Sequence, residues 1–344
     1  MSEILVSIVG ISYNHAPFIE EALHSICQQN YPCIELIVVD DASTDSSRAI
    51  IEDFFQKNHV PFPKKLIFHQ ENMGNCKSFN EALALCKGEY IIDFALDDVM
   101  LSERVGKQVA FFEQCSPQTG IIFSNAEIIA ENGDFIRHHY AVDKNGAVLA
   151  SPPQGKVFRA ILEKYFICPP TMMMRKTMLE ELNGYDESLA YEDFDLWVRA
   201  SQKYEFAYQD IISTRYRQSP KSLSQQFYQK GKNTLLASTL SVLEKAYTYC
   251  KEDLDFKALA KNAEYHQRQC FFTENFELLE KYKIFLQKTE LKAYRSLVSI
   301  LLSLAGKLRF RVSFLYVWYL RLKNKKNKKR LCSKKYYFSL FLFF

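Results

Sequence analysis

Acid runs out before the chain does. No Asp or Glu follows Glu290, and residues 291–344 carry 14 Lys and Arg. Residues 1–290 hold 30 Lys and Arg against 40 Asp and Glu, a net of −10. An acidic body therefore joins a basic tail, and the overall pI of about 8.4 describes neither part. That acidic body disfavours nucleic acid as a partner, because a phosphate backbone selects for basic surface. A CxxC pair and any zinc-like Cys/His spacing are missing; the nine cysteines are scattered. No basic stretch leads into an apolar segment at the N-terminus, so the expected compartment is the cytoplasm, with the thiols reduced. The most apolar stretch, 297–322, is interrupted by Lys307, Arg309 and Arg311, against the roughly 20 predominantly apolar residues a membrane span needs. No internal repeat is present.

What remains is a chain of 344 residues, 48% hydrophobic and 24% charged, enough for one large or two modest domains. Residues 4–11 are a short apolar run that predicts a buried parallel strand. Ile19, Leu23 and Ile26 follow at helical spacing. Ile34 to Val39 predicts a second strand, ending in Asp40-Asp41. Ser43 or Thr44 is placed to cap the next helix, whose apolar face is Ile50, Ile51, Phe54 and Phe55. Leu66–Phe68 is a third strand, Asn72-Met73-Gly74 a turn, and Ser78–Cys86 helical. Tyr90–Phe94 is a fourth strand, ending in Leu96-Asp97-Asp98, with a helix over 101–115 and a strand over 120–124 beyond it. Between 125 and 175 a hairpin, a loop, a short helix and a strand at Thr171–Met174 are expected. A helix over 189–203 carries Glu192 and Asp193, and 222–304 is helical with breaks near Asp253 and Thr273.

Strands alternating with helices imply βαβ units and a mostly parallel sheet. Ligands of such sheets sit beyond the carboxyl ends of the strands. Both aspartate pairs fall there. Adjacent carboxylates repel one another and are costly to desolvate, so they call for a cation; Mg²⁺ and Mn²⁺ are held by one or two carboxylates together with substrate phosphates. Glu192-Asp193 is a third acidic cluster, with Phe194, Trp197 and Val198 as its core anchors, and this geometry suits a general base. The plainer alternatives are a turn pair at 40–41, a helix N-cap at 97–98 and a solvated first helical turn at 192–193.

Six segments in order resemble glycosyltransferase family 2: Val6-Ser-Ile-Val-Gly-Ile-Ser-Tyr-Asn14, Ile37-Val-Val-Asp-Asp-Ala-Ser-Thr-Asp45, Asn72-Met-Gly74, Lys87–Ile92 running into Asp97-Asp98, Gly184-Tyr-Asp-Glu187, and Glu192–Trp197. Their order and spacing match the family from about residue 4 to 225. The resemblance implies a GT-A-type, Rossmann-like fold, a nucleoside-diphosphate sugar donor with a UDP-sugar as first choice, bound Mg²⁺ or Mn²⁺, and inversion at the anomeric carbon. It implies that Asp41 meets the nucleobase with Asp40 beside it, and that Ile11, Ser12 and Tyr13 line the base pocket. It gives Asp97 to ribose and metal, Asp98 to metal, Asp193 to the catalytic base, and Arg217 to the diphosphate. Ala95 stands where the fuller Asp-x-Asp-Asp pattern begins with Asp, and Gln218 and Ser219 stand where a His is common.

The expected domains are a transferase domain over 1–225, a helical extension over 226–295 and a basic, aromatic tail over 296–344. The tail suits an interfacial helix on an anionic membrane, which puts the protein at the inner face of the cell membrane with a saccharide or lipid-linked acceptor, as in cell-surface polysaccharide or glycolipid synthesis. The blander alternative packs 297–320 against the globular body. Among other functions, a nucleotidyltransferase also uses paired aspartates on a metal, but Ser12–Pro17 offers neither the glycines nor the cation such a loop needs. A catalytically degenerate, transferase-like membrane scaffold is the non-enzymatic alternative.

Overall fold

The computed structural model describes residues 4–219, 227–231 and 233–290, together with Leu302 and residues 304–307. Up to Ala95, strand and helix alternate: β1 (Val6–Ser12), α1 (Ile19–Cys27), β2 (Ile34–Asp40), α2 (Ser47–Lys57), β3 (Lys64–Phe68), α3 (Asn75–Leu83) and β4 (Tyr90–Ala95). β1 and β2 are buried along their whole length. Parallel strands covered on both faces read as unbroken apolar runs for that reason. The four strands pair in parallel in the order β3-β2-β1-β4, with Ser12 level with Asp40 and Ile11 level with Ala95. Successive residues feed opposite layers: Ile8, Leu36 and Ile92 meet Leu23, Ile26 and Val105, whereas Val9, Ile37 and Ile91 join Phe79, Leu196 and Trp197.

Beyond β4 come β5 (Val99–Met100), α4 (Arg104–Phe112), β6 (Thr119–Ala130), β7 (Phe135–His138), α5 (Phe158–Glu163), β8 (Met173–Arg175), α6 (Lys176–Glu181), α7 (Asp193–Ala200) and β9 (Glu205–Gln218). β8 runs antiparallel between β4 and β6, and β9 lies parallel to β6 and antiparallel to β5. One nine-stranded sheet results, β3-β2-β1-β4-β8-β6-β9-β5 with β7 on β6. It is the expected α/β, Rossmann-like architecture, with a parallel first half and a mixed second half.

Two local expectations are corrected. α2 is not capped by Ser43 or Thr44. Ser43 donates its N–H and hydroxyl to Asp40, and the Thr44 N–H donates to Asn14 Oδ1, while Asp45 accepts the Ser47 N–H at the true helix start. The helix expected over 189–203 shortens to α7, with Glu192 as its N-cap.

After β9, α8 (Thr234–Tyr249), α9 (Asp253–Phe272) and α10 (Phe276–Glu290) are separated near Asp253 and Thr273, where breaks were expected. Leu235, Leu243, Leu259 and Tyr282 belong to the same core cluster as Trp197, so these helices form the floor beneath α7. A capping box of Glu252 and Asp255 starts α9, and Arg159 of α5 pairs with both. Among the described residues no helix is long and apolar enough to cross a membrane. The tail expected over 296–344, with its interfacial helix, lies outside the described residues except for Leu302 and 304–307. There Leu302 and Ala305 sit against the main core, and Gly306 lies against Leu279 of α10.

Candidate active site

Three parallel strands end side by side at one edge of the sheet, and the acidic residues collect there. The Asp41 N–H donates to Ser12 O and the Leu96 N–H to Ile11 O, so the loops that leave β2 and β4 are both tied to the end of β1. Ile11 and Ser12 are buried, Ser12 Oγ has no hydrogen-bond partner among the described residues, and Tyr13 is 43% exposed at the rim. Asn14, at φ 59°, accepts from the Thr44 N–H and hydroxyl, which binds the loop after β1 to the loop after β2.

Asp40 is spent on its own turn, accepting from Ser43. Asp41 is buried and accepts the N–H groups of Met73 (2.8 Å) and Gly74 (2.9 Å). Gly74 sits at φ 87°, a conformation that side chains disfavour, which explains a glycine in this turn. His69 adds a third contact: Nδ1 lies 2.8 Å from Asp41 and Nε2 2.9 Å from Glu81, with the ring 6% exposed. Asp41 Oδ2, holding only the Gly74 N–H, has room for one further donor. Burial opposes a charged imidazole here, but the two carboxylates outweigh it and raise the His69 pKa. A raised histidine pKa contributes stability that is fully present below about pH 6.5 and is lost as pH rises through the folded value. His69→Ala is therefore expected to cost about 1–3 kcal/mol, more at pH 6 than at pH 9. Urea unfolding at the two pH values checks this, and an equal loss at both would refute a charged bridge.

Asp97 and Asp98 are held differently. Asp98 is 1% exposed; Oδ1 accepts the Arg217 N–H at 2.7 Å, and Oδ2 has no partner among the described residues. Burial first, and then Asp97, push its pKa well up. Asp97 is half-buried, with Oδ2 3.9 Å from His15 Nε2. A buried carboxylate oxygen without a donor, next to a second carboxylate open to the edge, fits a divalent cation with oxygen ligands. Arg217, expected at the diphosphate, is 2% exposed and largely committed within the protein. It donates to the carbonyls of Asp97, Ala130 and Glu131, pairs with Glu21 at 2.5 Å and lies over the Phe18 ring. Four of its five N–H groups are thus engaged, and it braces the 97–98 turn from below.

The third cluster is joined to the first through α3. Asn75, next to Gly74, donates to Glu192 Oε2 at 2.8 Å. Asp193 opens α7, whose Phe194, Trp197 and Val198 are buried as the sequence predicts. Asp195 on the same helix is fully buried and pairs with Arg199 and Lys245, both at 2.6 Å. The Gly184-Tyr185-Asp186-Glu187 segment braces α7 from the side. At φ 67°, Gly184 leaves room for Asn80, which binds both backbone groups of Tyr185, and Asp186 pairs with Lys245. Burial, and next Glu192, raise the Asp193 pKa to about 7. Burial, and next Asp98, raise the pKa of Tyr216 on β9, with smaller contributions from Asp97 and Asp193.

Two participants escape a sequence reading. Asp93, on β4, accepts from the Tyr185 hydroxyl at 2.9 Å; burial and then Glu192 lift its pKa to about 8. It sits inside an apolar strand run, and the break in that run was its only signal. Tyr165, in a loop without periodicity, donates to Asp193. Among the described residues no group of three or more His, Cys, Asp or Glu forms a ready metal cage.

The sequence profile described as Glycosyl transferase family 2 matches residues 7–182. An uncharacterized glycosyltransferase of Methanocaldococcus jannaschii is 28% identical over 228 residues, 63% of this chain and 72% of the relative. The putative teichuronic acid biosynthesis glycosyltransferase TuaG of Bacillus subtilis is 31% identical over 132 residues, 38% of this chain and only 49% of the relative. Among solved structures, residues 1–349 of TarS from S. aureus in complex with UDP share the fold at a TM-score of 0.57 and 18% identity, over 89% of this chain and 92% of that one. Mannosyltransferase PcManGT from Pyrobaculum calidifontis, in complex with GDP-Man and Mn²⁺, does so at 0.54 and 18%, over 92% and 84%. The fold is thus of the GT-A type, and with the profile matching just over half of its length, the chain belongs to glycosyltransferase family 2.

Proposed function

We propose that this glycosyltransferase moves a sugar from a nucleoside-diphosphate sugar, a UDP-sugar first, onto an acceptor hydroxyl with inversion. The observation that carries the proposal is that Asp41 is joined to Glu192 through the Gly74-Asn75 turn, while the loops bearing Asp41 and Asp97/Asp98 are both tied by backbone hydrogen bonds to the end of β1. The complexes of TarS with UDP and of PcManGT with GDP-Man support the donor class. The putative role of TuaG in teichuronic acid biosynthesis supports a saccharide or lipid-linked acceptor, in cell-surface polysaccharide or glycolipid synthesis.

In this mechanism the free acceptor position on Asp41 takes a nucleobase N–H, and Ile11, Ser12 and Tyr13 line that pocket. Asp193 removes the proton from the acceptor hydroxyl. The acceptor oxygen attacks the anomeric carbon from the face opposite the nucleotide, the bond to the diphosphate breaks, and configuration inverts. Asp97 and Asp98 would hold Mg²⁺ or Mn²⁺, which supplies charge neutralisation for a leaving diphosphate; the Mn²⁺ in the PcManGT complex supports this. Arg217 keeps that turn in place. The transferase unit is assigned to 1–225 and the helical extension to 226–295. The basic tail over 296–344 is placed at the anionic inner face of the membrane, apart from Leu302 and Ala305, which sit against the main core.

Thermal unfolding tests the donor. With Mn²⁺ present, UDP at 100 times its Kd is expected to stabilise the chain by about 2.7 kcal/mol, seen as a raised Tm. A screen in which no nucleoside diphosphate or nucleotide sugar raises Tm would overturn the reading.

A further inference from the structure

The rim around Asp193 is built unevenly. Oδ1 accepts the Tyr165 hydroxyl at 3.0 Å and the Phe194 N–H at 2.6 Å. Oδ2 accepts no hydrogen bond from another described residue. The Tyr165 ring leans on Phe194 and Trp197, at 5.2 and 5.1 Å between centroids, so it is fixed by the same buried residues that fix the helix. Tyr165 nevertheless keeps 40% of its surface exposed. A residue that served only packing would have no need of a hydroxyl directed at a carboxylate.

We propose that Tyr165 is a positioning residue for the base: its hydroxyl occupies Oδ1 of Asp193, fixes the carboxylate plane and leaves Oδ2 to receive the acceptor's proton. This rests on the reading of Asp193 as the base. The titratable groups that act on Asp193 are Glu192 on its own helix, Asp93 on β4, Tyr165 after α5, and Tyr191 and Tyr216. Glu192 and Asp93 are carboxyls, and each makes a charged neighbour costlier. The Tyr191 hydroxyl is shared with Thr239 at 2.6 Å and also neighbours the Tyr165 hydroxyl. The Tyr165 hydroxyl is the side-chain donor that favours the ionised form, a bond of the stronger, charge-assisted kind.

The test uses the full chain with ¹³C-carboxyl-labelled aspartate, and Asp193→Asn identifies the Asp193 signal. Tyr165→Phe keeps the ring and removes the donor, so the Asp193 midpoint is expected to rise by about one pH unit, a tenfold change in the acid constant. With the donor chosen by thermal stabilisation and water as acceptor, release of nucleoside diphosphate by Tyr165→Phe should fall about tenfold at pH 6.5 and recover by pH 9. An unmoved midpoint, or a loss independent of pH, would overturn the proposal. If Asp193→Asn keeps normal turnover, the base assignment fails instead, and the NMR midpoint still decides whether Tyr165 governs that carboxyl.

Discussion

Asp193→Asn is expected to lower turnover by about 10²–10⁴-fold, the contribution of a positioned base, while nucleoside-diphosphate affinity stays unchanged. The substitution keeps the shape and leaves an amide oxygen to accept from Tyr165 and from the Phe194 N–H. The anchors of α7, from Phe194 to Val198, are untouched. What is lost is the ability to take a proton. Steady-state kinetics with calorimetry of the nucleotide separates the two effects. Near-normal turnover would remove Asp193 from the role.

The second large effect falls on the other side of the edge. Asp98→Asn and Asp97→Ala are expected to weaken UDP binding in the presence of Mn²⁺ by about 100-fold or more, since a bound cation is worth several kcal/mol of charge stabilisation. Binding without Mn²⁺ should change little. Asn is preferred at 98 because Oδ1 accepts the Arg217 N–H; truncation there would strand a buried donor at a cost of about 1–3 kcal/mol. Titration of each variant with and without Mn²⁺ measures the difference. A variant whose Mn²⁺ dependence matches the parent would show that these carboxylates do not hold the metal.

β1 and β2 are legible because they are buried along their whole length and are mostly β-branched, and because turns rich in Asp, Asn and Gly punctuate the parallel half of the sheet. β9 was invisible for the opposite reason. Gln209-Asp210 breaks its apolar pattern, and its ladder with β6 shifts register near Ser124 and Asn125. The aspartate pairs were legible as residue types at strand ends. Their environments were not: that Asp98 keeps an oxygen without a donor, or that Arg217 turns inward to Asp97, Glu131 and Glu21, depends on β9 closing over the 97–98 turn. His69 and Tyr165 are long-range partners, meeting carboxylates 28 residues away in sequence in each case, and no local spacing announces such contacts.

The most direct measurement is a crystal grown with UDP and Mn²⁺, with anomalous scattering collected for manganese. The peak is expected between the diphosphate and the carboxylates of Asp97 and Asp98, with uracil toward Asp41 and the Asp193 carboxylate facing the β-phosphate across the same edge. A manganese peak elsewhere, or UDP bound away from these residues, would contradict the account.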